Sequence, residues 1–167
     1  MKQNQKGFTL IELMVIIAII GLLSSVITVA LSRARIKGRD SKRLADTRQI
    51  ITALQAYNSS YGDWPGTYNQ WYCLAPNTEA NCYSNLYGPI TSTMETQFSE
   101  FITTFPKYGV PAGNTYYDRY IYKYGAVSGK TGGWISAIYE ETPPSGICTT
   151  TPTLYDGYYF CNIYLGP

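Results

Sequence analysis

The sequence contains no histidine, and no two of its cysteines have the short spacing of a metal-binding motif. The absence of histidine excludes His-based catalytic triads and removes a common zinc ligand. The four cysteines (Cys73, Cys82, Cys148 and Cys161) include no CxxC motif, so they do not predict a zinc site either. No Ser/Lys or paired-acid motif stands out. We therefore expect no enzyme activity, no metal site and no cofactor.

Proline is also absent from the first part of the chain, where Pro65 is the first to occur. Residues 8–32 are apolar or small, and residues 33–58 are polar with apolar positions at helical spacing (Leu44, Ile50, Ile51, Leu54 and Tyr57). The pattern predicts one helix from near Phe8 to near Asn58, roughly 75 Å long. Its first half is hydrophobic and its second half amphipathic. Two helices hinged at Gly38 are the alternative.

Charge is unevenly distributed along the chain. Residues 1–57 hold nine Lys/Arg against three acids, whereas residues 58–167 hold four against eight. The chain thus has a basic stem and a mildly acidic head. The head has no charge support for nucleic-acid binding.

The glycines and the proline of "YGDWPG" are expected to end the long helix. We expect residues 59–167 to form a small globular head. A loop-rich region to about Pro89 precedes a short helix in "STMETQFSEFITTF", with Ser92 and Glu95 as a capping box. Three strand-like runs follow at 116–127, 133–141 and 157–165. We expect an α+β fold: the long helix packed on an antiparallel β-meander.

The cysteines fall into two local pairs, one in each half of the head. Local pairing, Cys73 with Cys82 and Cys148 with Cys161, is the favoured of the three possible connectivities. Two disulfides in a small head behind an apolar segment indicate an oxidising, extracytoplasmic compartment.

The apolar stretch carries one acid, Glu12, close to its start. A spanning helix needs about 20 apolar residues, and a carboxylate inside one costs roughly 2.5–3.5 kcal/mol. A secretory signal cleaved after Ala30-Leu31-Ser32 would have a shorter apolar core, and a plain anchor would not explain the acid.

Gly7-Phe8-Thr9-Leu10-Ile11-Glu12-Leu13, behind the basic leader 1–7, resembles the start of a type IV pilin or pseudopilin precursor. The resemblance implies that a prepilin peptidase cuts between Gly7 and Phe8 and that the new amino group of Phe8 is methylated. It implies that 8–32 crosses the inner membrane and later forms the filament core. It gives Glu12 a role in assembly, as partner of a neighbouring subunit's amino group. A carboxylate that snorkels to the interface is the alternative.

The resemblance implies a structural subunit of a bacterial type IV pilus. Its partners would be copies of itself in a helical filament, other pilins, the peptidase and the assembly platform. Its location would be the inner membrane as a single-pass precursor, and then the extracellular filament. A pseudopilin of a type II secretion or DNA-uptake system is the alternative, and a membrane-tethered binding module is a further one. Nucleic acid is expected as a partner only in the case of DNA uptake.

Overall fold

A computed structural model describes residues 7–74, 88–89, 92–106, 120–155 and 157–167. The side chains of Gly88, Pro89, Ser92, Thr93 and Glu95 are not among those described. The chain divides into two compact units, one ending at Gly38 and the other running from Arg39 to Pro167. We describe each unit by itself.

Helix α1 spans Leu10–Tyr61, 52 residues, and Gly38 does not interrupt it. The prediction of one helix is therefore correct, and the alternative of two separate helices is wrong. Its end lies three residues beyond the predicted Asn58, at Tyr61, and Gly62 follows with φ 74°. The Gly62 amide donates to the Asn58 carbonyl at 2.8 Å. A glycine in the left-handed region is the usual way to close a helix, because it carries no Cβ to clash.

In the second unit, α1 presents one buried stripe to the sheet. Its buried residues recur every three or four positions, with Ala53 and Leu54 adjacent: Arg43, Thr47, Ile50, Ala53, Leu54 and Tyr57. Leu44 and Ile51 pack at the margin of the same core. The amphipathic stripe predicted from the sequence is thus confirmed, with two polar members, Arg43 and Thr47, that the apolar pattern did not include.

The head contains a six-stranded sheet. The strands are β1 Gln70–Leu74, β2 Gly88–Pro89, β3 Tyr120–Val127, β4 Lys130–Tyr139, β5 Thr153–Tyr155 and β6 Tyr158–Gly166. Their order is β2-β1-β3-β4-β6-β5, and every pairing is antiparallel except the parallel pair β1–β2. The predicted antiparallel meander corresponds to β3, β4 and β6. The first predicted run began at residue 116, and residues 116–119 lie outside the described part of the chain.

Two parts of the head differ from the prediction. The region taken as loops contains β1 and β2, which extend the sheet beyond β3. The second helix, α2, covers only Ser92–Phe98 rather than continuing towards Phe105. The Ser99 hydroxyl donates to the Thr96 carbonyl at 2.6 Å, a local bond that competes with helix propagation. The predicted capping box falls on side chains outside those described.

Tyrosine supplies much of the core. A row across four strands joins Tyr72, Tyr122, Ile135 and Ile163, which are register partners and all buried. Tyr120 and Tyr139 are buried in the same cluster as Leu54 of α1. Burying rings that carry one polar atom gives a small domain much apolar contact area per residue. The buried tyrosines therefore serve packing in the core of the sheet.

Candidate functional site

The start of α1 forms a reciprocal cap between Thr9 and Glu12. The Thr9 amide and hydroxyl both donate to Glu12 Oε2, at 2.8 and 2.7 Å. In return the Glu12 amide donates to Thr9 Oγ1 at 3.3 Å, and the Leu13 amide donates to the Thr9 carbonyl. This is the capping-box arrangement, in which a hydroxyl residue and a Glu three positions later satisfy each other's backbone donors.

The cap changes the account of Glu12. From the sequence we expected the Glu12 carboxylate to gain a partner when subunits stack, but Thr9 already provides two donors within the same chain. An acid in the first turn is also favoured by the partial positive charge at a helix N-terminus. Thr9 is therefore a residue that the sequence analysis missed, although the Thr-x-x-Glu pattern signals it.

The apolar stretch leaves its side chains exposed in the unit to which it belongs. Phe8 is 84% exposed and Leu10 75%, and the large aliphatic residues as far as Leu31 are also exposed. The stretch is long and apolar enough to cross a membrane. Chain of this kind needs lipid or other apolar helices around it, because that much apolar surface is costly in water.

The predicted cleavage site lies just before the cap. Residues 7–9 precede the helix in an irregular conformation, and Gly7 and Phe8 are exposed. Among the described residues, no heavy atom beyond those of its chain neighbours lies within 4 Å of the position that a Cβ would take on Gly7. The leader residues 1–6 lie outside the described residues.

At the start of the second unit, two arginines of α1 meet one glutamate at the end of β4. Arg39 makes two hydrogen bonds to Glu140, from Nε at 2.7 Å and from Nη2 at 2.5 Å. Arg43 reaches Glu140 at 2.8 Å and Asp40 at 2.6 Å. Asp40 also accepts from the amides of Glu140 and Glu141. We call Arg39, Asp40, Arg43 and Glu140 the ion-pair network.

The ion-pair network holds a buried positive charge next to two carboxylates. The Arg43 side chain is only 3% exposed, so its charge depends on the two carboxylates beside it. The hydrogen bonds from Arg39 hold the pKa of the Glu140 carboxyl below its usual value. Glu140 is thereby engaged by arginines, and among the described residues no cluster of three metal-binding side chains occurs.

One predicted disulfide is present. Cys148 and Cys161 are bonded, with Cα atoms 5.2 Å apart, and they close a loop that contains β5. The Thr149 amide donates to the Asn162 carbonyl at 2.8 Å, which ties the start of the loop to β6. The second predicted pair, Cys73 with Cys82, stays a prediction, because Cys82 lies outside the described residues. Cys73 itself is buried in β1.

Comparison with known protein families identifies the N-terminal segment of the chain. The family model for the prokaryotic N-terminal methylation motif matches residues 2–28, which include Gly7, Phe8 and Glu12. The chain thus carries the prokaryotic N-terminal methylation motif.

Part of the chain is also similar in sequence to individual curated proteins. The chain is 38% identical over 66 residues to a fimbrial protein of Neisseria meningitidis serogroup B, covering 40% of this chain and 39% of that protein. It is 40% identical over 55 residues to a type IV major fimbrial protein of Dichelobacter nodosus, covering 33% and 35%. It is 35% identical over 66 residues to a type II secretion system core protein G of Klebsiella michiganensis, covering 40% and 46%.

The chain spans about two fifths of the length of these curated relatives. No solved structure gives a significant match. The similarity to type IV pilins and pseudopilins that the residues predicted is confirmed.

Proposed function

We propose that the chain is a structural subunit of a bacterial type IV pilus filament. The observation that carries the proposal is the start of α1: the methylation motif runs directly into an exposed apolar stretch with a single carboxylate at its beginning. Two of the named relatives are fimbrial proteins, which supports a structural rather than an enzymatic role.

Processing in this proposal has three steps. The precursor inserts in the inner membrane through 8–32, a prepilin peptidase cuts between Gly7 and Phe8, and the amino group of Phe8 is methylated. The exposed, irregular backbone at residues 7–9 supports access by a peptidase. The head, residues 59–167, lies outside the cytoplasm, which the Cys148–Cys161 disulfide supports and where a Cys73–Cys82 bond would also form.

Assembly would bury the apolar stretches of many copies against one another. Glu12 would then exchange some of its bonding to Thr9 for the methylated amino group of Phe8 in a neighbouring subunit. A carboxylate inside an apolar bundle needs such a partner, because an unpaired buried charge costs several kcal/mol. Other pilins and the assembly platform complete the set of proposed partners.

The second candidate is a pseudopilin, and the similarity to the type II secretion core protein G favours it. Its fibre would be short and would drive secretion instead of forming a surface pilus. The two functions share the N-terminal processing, so the start of the chain does not separate them.

Electron microscopy of filaments sheared from the native host, with immunogold labelling of this chain, tests the proposal. A pilus subunit predicts long labelled filaments at native expression that vanish when the gene is deleted. No labelled filaments, together with a loss of protein secretion in the deletion strain, would favour the pseudopilin. Neither filaments nor a secretion defect would contradict both.

A further inference from the structure

Three cationic residues with exposed side chains follow the apolar stretch directly. Arg33, Arg35 and Lys37 are helical and exposed, and all three lie in the unit that ends at Gly38. We call them the basic ring. They contrast with Arg39 and Arg43, which are part of the ion-pair network of the head.

The geometry of the helix spreads these charges around its axis. Successive residues are turned by about 100°, so Arg33 and Lys37 lie on one side and Arg35 lies on the opposite side. A protein partner docked on one face of the helix would meet one side of this set. A membrane surface surrounds a spanning helix and meets all of it.

The ring has no neutralising carboxylate among the described residues. The salt bridges found there involve Arg39 and Arg43, with Glu140 and Asp40 as their acids. Asp40 is further occupied by two backbone amides. The three ring cations therefore offer their hydrogen-bond donors to groups from outside the chain.

We propose that the basic ring binds the phosphate groups of anionic phospholipids where α1 leaves the membrane. The inference rests on the proposed membrane insertion of α1 and goes beyond the proposed pilus function. Long basic side chains keep their stems along the apolar surface and extend their charges to the headgroups. Each cation near an anionic surface strengthens binding by roughly fivefold. The ring would hold the subunit at a defined depth and keep an anionic lipid shell around it until assembly.

Lipid selectivity of the full chain in vesicles tests the proposal. The chain is reconstituted in phosphatidylcholine with trace spin-labelled phosphatidylglycerol or spin-labelled phosphatidylcholine, and electron paramagnetic resonance reports the motionally restricted fraction of each. We expect a severalfold preference for phosphatidylglycerol that weakens as salt is added. Arg33→Gln/Arg35→Gln should remove most of that preference, and Arg33→Lys/Arg35→Lys should keep it.

The matched control is Arg48→Gln/Lys130→Gln, which removes two exposed cations of the second unit. This control should leave the preference unchanged. Equal restriction of both lipids by the natural chain, or an equal loss in the ring and control variants, would overturn the proposal. Unchanged selectivity in the ring variant with fewer filaments would mean that the ring contacts another subunit. Extraction of the chain by carbonate would show that it is not inserted, and would contradict the membrane step of the proposed function as well.

Discussion

Arg39 of α1 and Glu140 at the end of β4 are joined by two parallel hydrogen bonds, from Nε to Oε1 and from Nη2 to Oε2. Two parallel hydrogen bonds between a guanidinium and a carboxylate form a strong and geometrically specific ion pair. Arg39 is the first residue of the second unit, which begins directly after Gly38. Glu140 also receives Arg43, so one carboxylate serves two arginines.

Loss of this carboxylate should destabilise the head. We expect Glu140→Gln to lower its free energy of unfolding by about 2–3 kcal/mol, because the buried Arg43 loses the charge of one of the two carboxylates paired with it. The measurement is thermal unfolding of the full chain in mild detergent by tryptophan fluorescence, since all three tryptophans lie in the head. Glu141→Gln is the matched control: its side chain is exposed, and the change should stay within about 0.5 kcal/mol. Equal effects would mean that the network adds no stability.

The same carboxylate predicts a response to acid. The pKa of Glu140 in the folded head is below its ordinary value of 4.5, so its contribution is complete above that pH. It is lost as the pH falls through the lowered folded value. The stability difference between the natural chain and Glu140→Gln should therefore be constant from neutral pH to about 5 and should shrink below 4.5. A difference that grows in acid would contradict the assignment.

Two tyrosines of β3 should respond in opposite ways to loss of their hydroxyls. The Tyr120 hydroxyl donates to the Arg43 carbonyl at 3.2 Å, whereas the buried Tyr122 hydroxyl finds no hydrogen-bond partner among the described residues. Tyr120→Phe should cost about 1 kcal/mol of unfolding free energy, and Tyr122→Phe should be neutral or stabilising.

Alkaline titration gives a second check on the same pair. Burial raises the pKa of Tyr122 above its ordinary value of 10.0, so the unfolded phenol ionises first and stability falls as the pH rises past 10. Tyr122→Phe should make that fall shallower in the same unfolding assay. Equal destabilisation by Tyr120→Phe and Tyr122→Phe would show that the Tyr122 hydroxyl has a hydrogen-bond partner. An unchanged alkaline slope in Tyr122→Phe would show that the pKa of Tyr122 is not raised in the folded head.

The mature chain should begin at N-methylated Phe8. The reason is the position of Gly7, exposed and directly before the capped helix, within the matched methylation motif. Intact-mass measurement and N-terminal sequencing of the chain from its native host would check it. A start at Met1 would indicate a plain anchor, and a start near Arg33 would indicate a secretory signal, each against the proposal.

The sequence predicted the features that depend on local periodicity. The 52-residue helix follows from the absence of proline and from the spacing of Ile50, Leu54 and Tyr57. The meander follows from consecutive apolar runs. The features that were missed depend on long-range pairing: Gln70–Leu74 becomes a strand because it pairs with β3, and no pattern of its own residues required that. Similarly, Arg43 looked like a solvated cation, and only the fold brings Glu140 to it.

The site at the helix start was predicted in part. Glu12 stood out because an acid is costly in an apolar segment, but Thr9 was overlooked because a hydroxyl before a helix is common. The cap between them means that a lone subunit already satisfies the carboxylate in part. An assembly role for Glu12 must therefore come from its charge and not from hydrogen bonding alone.

Filament yield from Glu12 variants tests this central claim most directly. Glu12→Gln keeps an oxygen for the Thr9 donors and removes the charge, and Glu12→Ala removes both. We predict that each lowers the yield of sheared filaments at least roughly tenfold, because an unpaired amino group in an apolar bundle costs several kcal/mol. The subunit should still accumulate in the membrane, as a membrane blot would show, because neither change adds a charge and Glu12→Ala makes insertion easier by roughly 2.5–3.5 kcal/mol. Normal filaments from both variants would contradict the account.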